Sequence, residues 1–377
     1  MISSRHYFDH NATQPLCREA RDEMFRVMDF FGNPSSVHME GRAARSIIED
    51  ARSKVATLVN AHPREIVFTS GATEANAMVF LARQWGGLLV GNSEHLSVLA
   101  PAKRSSVPRY DIPTSSDGLL CIDAALEWLQ SSCHNKGPYL ASLGLANGET
   151  GVLQPVERFL HSVNQEEVWV HSDAAQVAGR VPIDFNALSL SMMSLSAHKM
   201  GGPKGVGALV IRDGLNFDPL IVGGGQEQSR RAGTENVIAI AGFGAAASAA
   251  LCGLEYINKI RSLRDKLETE LKRITPQSVI FGRNAPRLPN TLLIAAPGKD
   301  AETLVIKFDL LGVAVSAGAA CSSGRVTQSH VLKSMGIDQE LARSAIRISL
   351  GPSNTEEEIM RFVALWSEVI DNKAIAA

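Results

Sequence analysis

Lys199 lies in a run of small and polar residues, Ser194-Leu195-Ser196-Ala197-His198-Lys199-Met200-Gly201-Gly202-Pro203. Apolar stretches flank it, Met192 to Leu195 before and Val206 to Ile211 after. The stretches read as buried strands and the Gly/Pro segment between them as a turn. Lysine is seldom buried, and burial favours its neutral amine, the form that attacks a carbonyl carbon. Lys199 alone reads better as a surface-turn lysine whose stem covers apolar neighbours. Asp173 changes that balance. It closes a second apolar stretch, Val168-Trp169-Val170-His171-Ser172-Asp173. Ligands of open α/β sheets bind beyond the carboxyl ends of the strands, so Asp173 and Lys199 are expected to face one crevice. An aspartate for a pyridinium nitrogen, paired with a Schiff-base lysine, is the chemistry of a pyridoxal phosphate site. Asp173 by itself would read as a helix cap.

Three further stretches carry chemistry. Ser70-Gly71-Ala72-Thr73-Glu74 follows the short apolar run Ile66-Val67-Phe68. A glycine-containing turn from strand to helix offers free N–H groups and the positive end of a helix dipole, which suits a phosphate. Cys321 sits in Ser316-Ala317-Gly318-Ala319-Ala320-Cys321-Ser322-Ser323-Gly324. That run has almost no bulky side chain to fix it in a core, so Cys321 is expected to be exposed and mobile. Cys252, in an apolar helical stretch, fits a buried structural cysteine better. Arg347 interrupts the apolar strand Ile346 to Leu350, a costly place for a guanidinium unless it meets an anion such as a carboxylate.

The elements that must position these groups are legible as periodic patterns. Gly41 to Val59 has apolar residues at helical spacing, Val237 to Leu251 is an apolar helix, and Glu255 to Ile274 is a charged amphipathic one. Ala301 to Leu311 reads as a helix, Val313 to Val315 as a strand, and Thr355 to Glu358 as a capping box. Strands alternating with helices indicate an α/β protein. The chain has 377 residues, 45% hydrophobic and 20% charged, which is the make-up of a globular protein with a large core. A net charge of −2 argues against a nucleic-acid-binding surface. No apolar stretch long enough to span a bilayer stands out, and Met1 to His6 lacks a signal-peptide core. The five cysteines, Cys17, Cys121, Cys133, Cys252 and Cys321, include no CxxC pair and fit a reducing cytoplasm.

Taken together and in order, Ser70 to Glu74, Asp173-Ala174-Ala175-Gln176, Ser196 to Lys199, Arg231-Ala232-Gly233-Thr234 and Ser316 to Arg325 resemble the cysteine desulfurases of the NifS/IscS type, in the class V aminotransferase group. The resemblance runs from Tyr7 to about Leu350. It implies the fold of type I pyridoxal-phosphate enzymes. A large domain, 14–253, would hold a mostly parallel sheet, and a smaller α+β domain would combine 1–13 with 254–377. It implies conversion of L-cysteine to L-alanine with sulfur kept as a persulfide. Lys199 would carry pyridoxal phosphate, Asp173 would face its ring nitrogen, and His95 would stack on the ring and relay protons. Ala72, Thr73, Ser196 and His198 would bind the phosphate, joined across a homodimer by Thr234. Asn147 and Gln176 would lie near the ring hydroxyl. The family usually has a second asparagine there, where this chain has Gly148. Arg347 would take the substrate carboxylate. Asn33, in the loop Phe30 to Ser36, is a second carboxylate candidate and equally a turn residue. Cys321 would receive the sulfur and, as a persulfide, transiently share an iron–sulfur ligand set. The implied partners are an iron–sulfur scaffold or another sulfur acceptor, with neither nucleic acid nor membrane. A selenocysteine lyase, an aminotransferase and a non-catalytic assembly subunit are the competing readings.

Overall fold

The computed structural model describes residues 5–132, 137–317 and 329–370. After a first short strand, β1 (His6–Tyr7), seven strands join in one sheet: β2 (Ile66–Thr69), β3 (Gly87–Gly91), β4 (Arg109–Ile112), β5 (Tyr139–Ser142), β6 (Val168–Asp173), β7 (Met192–Ser196) and β8 (Gly207–Ile211). Their order is β2-β8-β7-β6-β5-β3-β4, and only β8 runs against its neighbours. These strands are near-continuous apolar runs because helices cover both faces of the sheet. Most of the strands are buried throughout.

Four strands form a second, antiparallel sheet in the order β12-β13-β10-β9: β9 (Val279–Ile280), β10 (Thr291–Ala295), β12 (Ser316–Ala317) and β13 (Ala345–Ser349). Between them in sequence, β11 (Val313–Ala314) pairs with β1 in parallel. The strand expected over Val313 to Val315 is thus split, with Val313–Ala314 on one partner and Ser316–Ala317 on another. The two sheets have separate cores. Phe243 and Phe185 belong to the first. Phe8 packs with Phe362, Phe308 and Trp366 in the second, so the amino-terminal segment joins the carboxyl-terminal core. The expected architecture, a mostly parallel α/β unit with a smaller α+β unit, is the one the chain adopts.

Four helices bear on the site: α1 (Arg18–Val27), α2 (Met39–Leu58), α3 (Ala72–Leu81) and α4 (Leu96–Arg104). The expected helix from Gly41 begins two residues earlier. The helix Val237–Gly253 packs on α1 and α2. With the amphipathic helix that follows, it forms a run, Val237–Ile274, long and apolar enough to cross a membrane, contrary to the reading of the sequence. Residues 239–244 of it are buried against the rest of the fold, which accounts for its apolar surface. Cys252, expected to be buried, is exposed because it falls on the last, outward turn of this helix. The capping box at Thr355 is present: Glu358 N donates to Thr355 Oγ1 and Thr355 N to Glu358 Oε2.

Candidate active site

The strand ends of the large sheet surround a cavity of about 610 Å³. Ala72, Thr73, His95, Asn147, Asp173, Gln176, Ser196, His198, Lys199 and Arg347 all line it. Asn33 and Thr234 do not. Asn33 is exposed and its Oδ1 accepts a hydrogen bond from Ser35 N at 2.9 Å, the turn role that was its alternative. Thr234 is exposed on a loop away from the cavity of its own chain. Cys321 lies outside the described residues.

Each group is held by local rules. Lys199 closes a single 3₁₀ turn after β7, which swings its side chain back over the strand ends. Its Nζ donates to the carbonyls of Asn11, 2.5 Å, and Ala12, 3.0 Å. Asp173 is the last residue of β6. Its carboxylate accepts from Ala175 N at 2.9 Å and from Asn76 Nδ2 at 2.8 Å. α3 starts at Ala72 behind Gly71, which makes no side-chain capping bond. Its first N–H groups therefore remain open toward the cavity, beside Ser196 and His198. Glycine is needed nearby for close approach: a Cβ on Gly207 would come within 2.7 Å of the Gly71 Cα.

Arg347, in the middle of β13, reaches the cavity from the second sheet and is buried. It donates from Nη2 to Asp9 Oδ1 at 2.8 Å and from Nη1 to the Gly148 carbonyl at 3.1 Å. Its buried Nε finds no partner among the described residues. The guanidinium of Arg347 nevertheless lines the cavity, where a carboxylate ligand would meet it. Asn147 is largely consumed by a turn: its Oδ1 accepts from Glu149 N and Thr150 N, and its Nδ2 donates to the Ser93 carbonyl. Gln176 donates to the Asn11 carbonyl at 3.1 Å, and its Oε1 accepts from Arg180.

Several site residues were not signalled by the sequence. Asn11, fully buried, joins both sheets. Its Nδ2 donates to Thr291 Oγ1 at 2.9 Å and to the Gly148 carbonyl at 3.2 Å, while Oδ1 accepts from Asn290 Nδ2 at 3.0 Å. The available clue was a polar run, Asp9 to Gln14, directly after the apolar Phe8. Arg180 donates to the carbonyls of Gln176, His10 and Lys199. Burial, with the charge of Arg347, lowers its pKa to about 9. Glu149 lines the cavity and accepts from Ser329 Oγ at 2.5 Å.

The electrostatics favour anions. Burial, with Asp173 adding to it, pushes the Glu94 carboxyl up to about 8, so Glu94 keeps its proton at neutral pH. Burial likewise raises Glu149 to about 7. His198 is lowered to about 4, first by burial and then by Lys199, Lys204 and Arg180. On the wall, Lys199, Lys204 and Arg347 outnumber the ionised carboxylates, which favours a positive cavity. The geometry thus fits pyridoxal phosphate. The uncapped helix end would take the phosphate with Ser196 and His198. Asp173 would face the ring nitrogen and Lys199 the carbonyl carbon.

Known proteins agree with this geometry. Residues 6–362 match the family described as aminotransferase class-V. A cysteine desulfurase of Cereibacter sphaeroides is 39% identical, over 97% of this chain and 96% of its own. Cysteine desulfurase IscS of Dictyoglomus turgidum is 35% identical, over 97% of this chain and 94% of its own. The X-ray structure of a NifS-like protein from Rickettsia africae superposes with a TM-score of 0.89 at 38% identity, covering 97% of this chain and 99% of that one.

Proposed function

Because the chain belongs to the aminotransferase class-V family, we propose that it is a pyridoxal-phosphate cysteine desulfurase, converting L-cysteine to L-alanine and keeping the sulfur on one of its own cysteines. The observation that carries this reading is the meeting of Asp173, Lys199 and Arg347 in one cavity, beneath the open end of α3. When bound, pyridoxal phosphate supplies a carbonyl carbon for amines and a protonated ring that draws electrons from the substrate.

The chain's own residues do the rest. Lys199 would hold the group covalently and, once released, take the substrate's α-proton on Nζ. The carbonyls of Asn11 and Ala12 keep that amine aimed across the strand ends. Asp173 would stabilise the proton on the ring nitrogen, a charge-assisted contact. Arg347 would bind the substrate carboxylate through its guanidinium, which Asp9 and the Gly148 carbonyl hold at the cavity wall. Such a bond contributes about 1.5–3 kcal/mol. We assign sulfur capture to Cys321, whose thiolate would form the persulfide.

Release to an iron–sulfur scaffold or a similar sulfur acceptor is part of the proposal, as are a cytoplasmic setting and a division into two units at 13/14 and 253/254. So is a homodimer. Phe31, Val37 and Val222 expose 87%, 87% and 77% of their surface. They lie on two loops joined where Gln226 Nε2 donates to Ser35 Oγ. Pairing two chains there would cover them and bring Thr234 to the partner's cavity. The test is incubation with L-cysteine and a reductant, following alanine and sulfide. Equal yields of both are expected. Transfer of the amino group to an added keto acid, without sulfide, would make the protein an aminotransferase and overturn the reading.

A further inference from the structure

Beneath the cavity, a buried side chain joins the two residues expected on either side of the ring. Asn76, on α3, is fully buried. Its Nδ2 donates to Asp173 Oδ2 at 2.8 Å and also to Ser97 Oγ at 2.8 Å. Ser97 Oγ lies 2.7 Å from His95 Nδ1. His95 caps α4, and the same Nδ1 accepts from Ser97 N at 3.1 Å. The directions of these bonds follow from elementary roles. An ionised carboxylate only accepts, so the amide nitrogen of Asn76 must face Asp173. That nitrogen's second hydrogen occupies a lone pair of Ser97 Oγ. The hydroxyl's own hydrogen remains free to donate to His95 Nδ1. A backbone N–H aimed at Nδ1 requires the same assignment, because that nitrogen must carry a lone pair. The Asn76 Oδ1 stays buried without a partner among the described residues. Leaving a carbonyl unmet costs about 1–3 kcal/mol, so the amide is placed here for what its two hydrogens do.

We propose that Asn76 and Ser97 are positioning residues that tie Asp173 to His95 and hold the neutral imidazole with its proton on Nε2, facing the cavity. In this state His95 offers the site a donor and no lone pair. A neutral imidazole does not give up its remaining ring proton near neutral pH, so in this state the ring neither takes nor loses a proton and acts as a fixed donor. The α-proton therefore falls to Lys199 alone, and His95 contributes a hydrogen bond from Nε2–H. This narrows the general proton relay expected of His95. The inference rests on the proposed function only for what the Nε2–H meets.

The surroundings favour the neutral ring. The pKa of His95 lies below its ordinary value, chiefly through burial. Asp173, at the end of β6, raises it, while Lys199, after β7, and His330, on the helix His330–Ser334, lower it.

The test is histidine ¹⁵N–¹H correlation spectroscopy on the full chain, with and without pyridoxal phosphate, His95 being assigned by a His95→Gln variant. The expected wild-type result is a protonated Nε2 and a bare Nδ1. Ser97→Ala keeps the backbone cap and removes the hydroxyl donor, so the His95 titration should move up in pH. Ser97→Thr restores the hydroxyl and should restore the titration. Asn76→Ala should weaken pyridoxal phosphate binding roughly tenfold or more, as expected for loss of a hydrogen bond to a charged group. If Asn76→Ala does not fold, the two Ser97 variants still decide the matter. A wild-type Nδ1–H, or a His95 titration unmoved by Ser97→Ala, would overturn the relay. A chain that releases alanine from cysteine with Nδ1–H on His95 removes the relay and leaves the proposed function standing. The relay found in a chain that never turns cysteine over does the reverse.

Discussion

The seven-stranded sheet and the four-stranded sheet serve the same cavity in different ways. The large sheet presents Asp173 and Lys199 at the ends of adjacent strands, and helices start directly behind the other contacts. Behind Asp173, each layer is itself held. His171, two residues earlier, sits between Ser142 Oγ and Ser194 Oγ, each 2.9 Å from a ring nitrogen. Burial lowers its pKa to about 4, so it spans three strands as a neutral bridge. The small sheet contributes one guanidinium from mid-strand, with Asp9 and the Gly148 carbonyl as partners. In the proposed function the large sheet holds the resident group in one pose, and the small sheet supplies the contact to the molecule that comes and goes. Asn11 is where the two meet.

This division can be broken from either side. The largest effect is expected from Lys199→Ala, which should lower alanine formation by about a thousandfold or more while urea unfolding stays near wild type. Alanine release at the normal rate would remove Lys199 from the mechanism. Asn11→Ala cuts the link between the sheets and strands Asn290 and Thr291. It should cost about 2–3 kcal/mol in urea unfolding and raise KM for cysteine as well. A loss of stability with KM unchanged would show that Asn11 supports the fold without arranging the site. Arg347→Lys keeps the charge and loses the planar fork. KM for cysteine should rise roughly 10- to 100-fold with pyridoxal phosphate retained. Loss of the cofactor absorbance instead would place Arg347 with the resident group.

The smallest effect concerns pH in the cofactor-free chain. Glu94 has an ordinary value of 4.5 when unfolded and about 8 when folded. The folded state therefore binds the extra proton between these values. The stability this contributes is complete below 4.5 and is lost as pH rises through about 8. Glu94→Gln should flatten that loss, so its Tm should fall less between pH 5 and pH 8, by about 2–5 °C. Parallel Tm curves for the two proteins would show that Glu94 ionises freely in the folded chain.

Much of the large sheet's contribution was legible because parallel strands announce themselves as short apolar runs ending in small or polar residues. Asp173, Lys199 and the Ser70 to Glu74 turn each stand at such an end. Arg347 was legible for the opposite reason, as a charge where the pattern calls for an apolar side chain. Asn11, Asn76 and Arg180 were not legible. Their importance lies in partners far along the chain, such as Asn290 for Asn11 and Asp173 for Asn76, and no local period encodes such a pairing. Cys252 misled because an apolar helix does not say which of its turns faces out. Asn147 shows a further limit: its type suits a ligand contact, but the turn after β5 claims both ends of its amide.

The connection of His6 and Asn11 to the far end of the chain also sets an order of events during synthesis. His6 pairs with Val313, and Asn11 bonds to Asn290 and Ser349. A ribosome adding about 5–20 residues per second would leave the first dozen residues waiting roughly 15–70 s for these partners. The large sheet, whose strands end at Ile211, can meanwhile collapse around its own core. Lys199 would exist in a folded unit before the carbonyls of Asn11 and Ala12 are fixed beside it. The site therefore closes only once residues 290–349 have been made to receive His6 and Asn11.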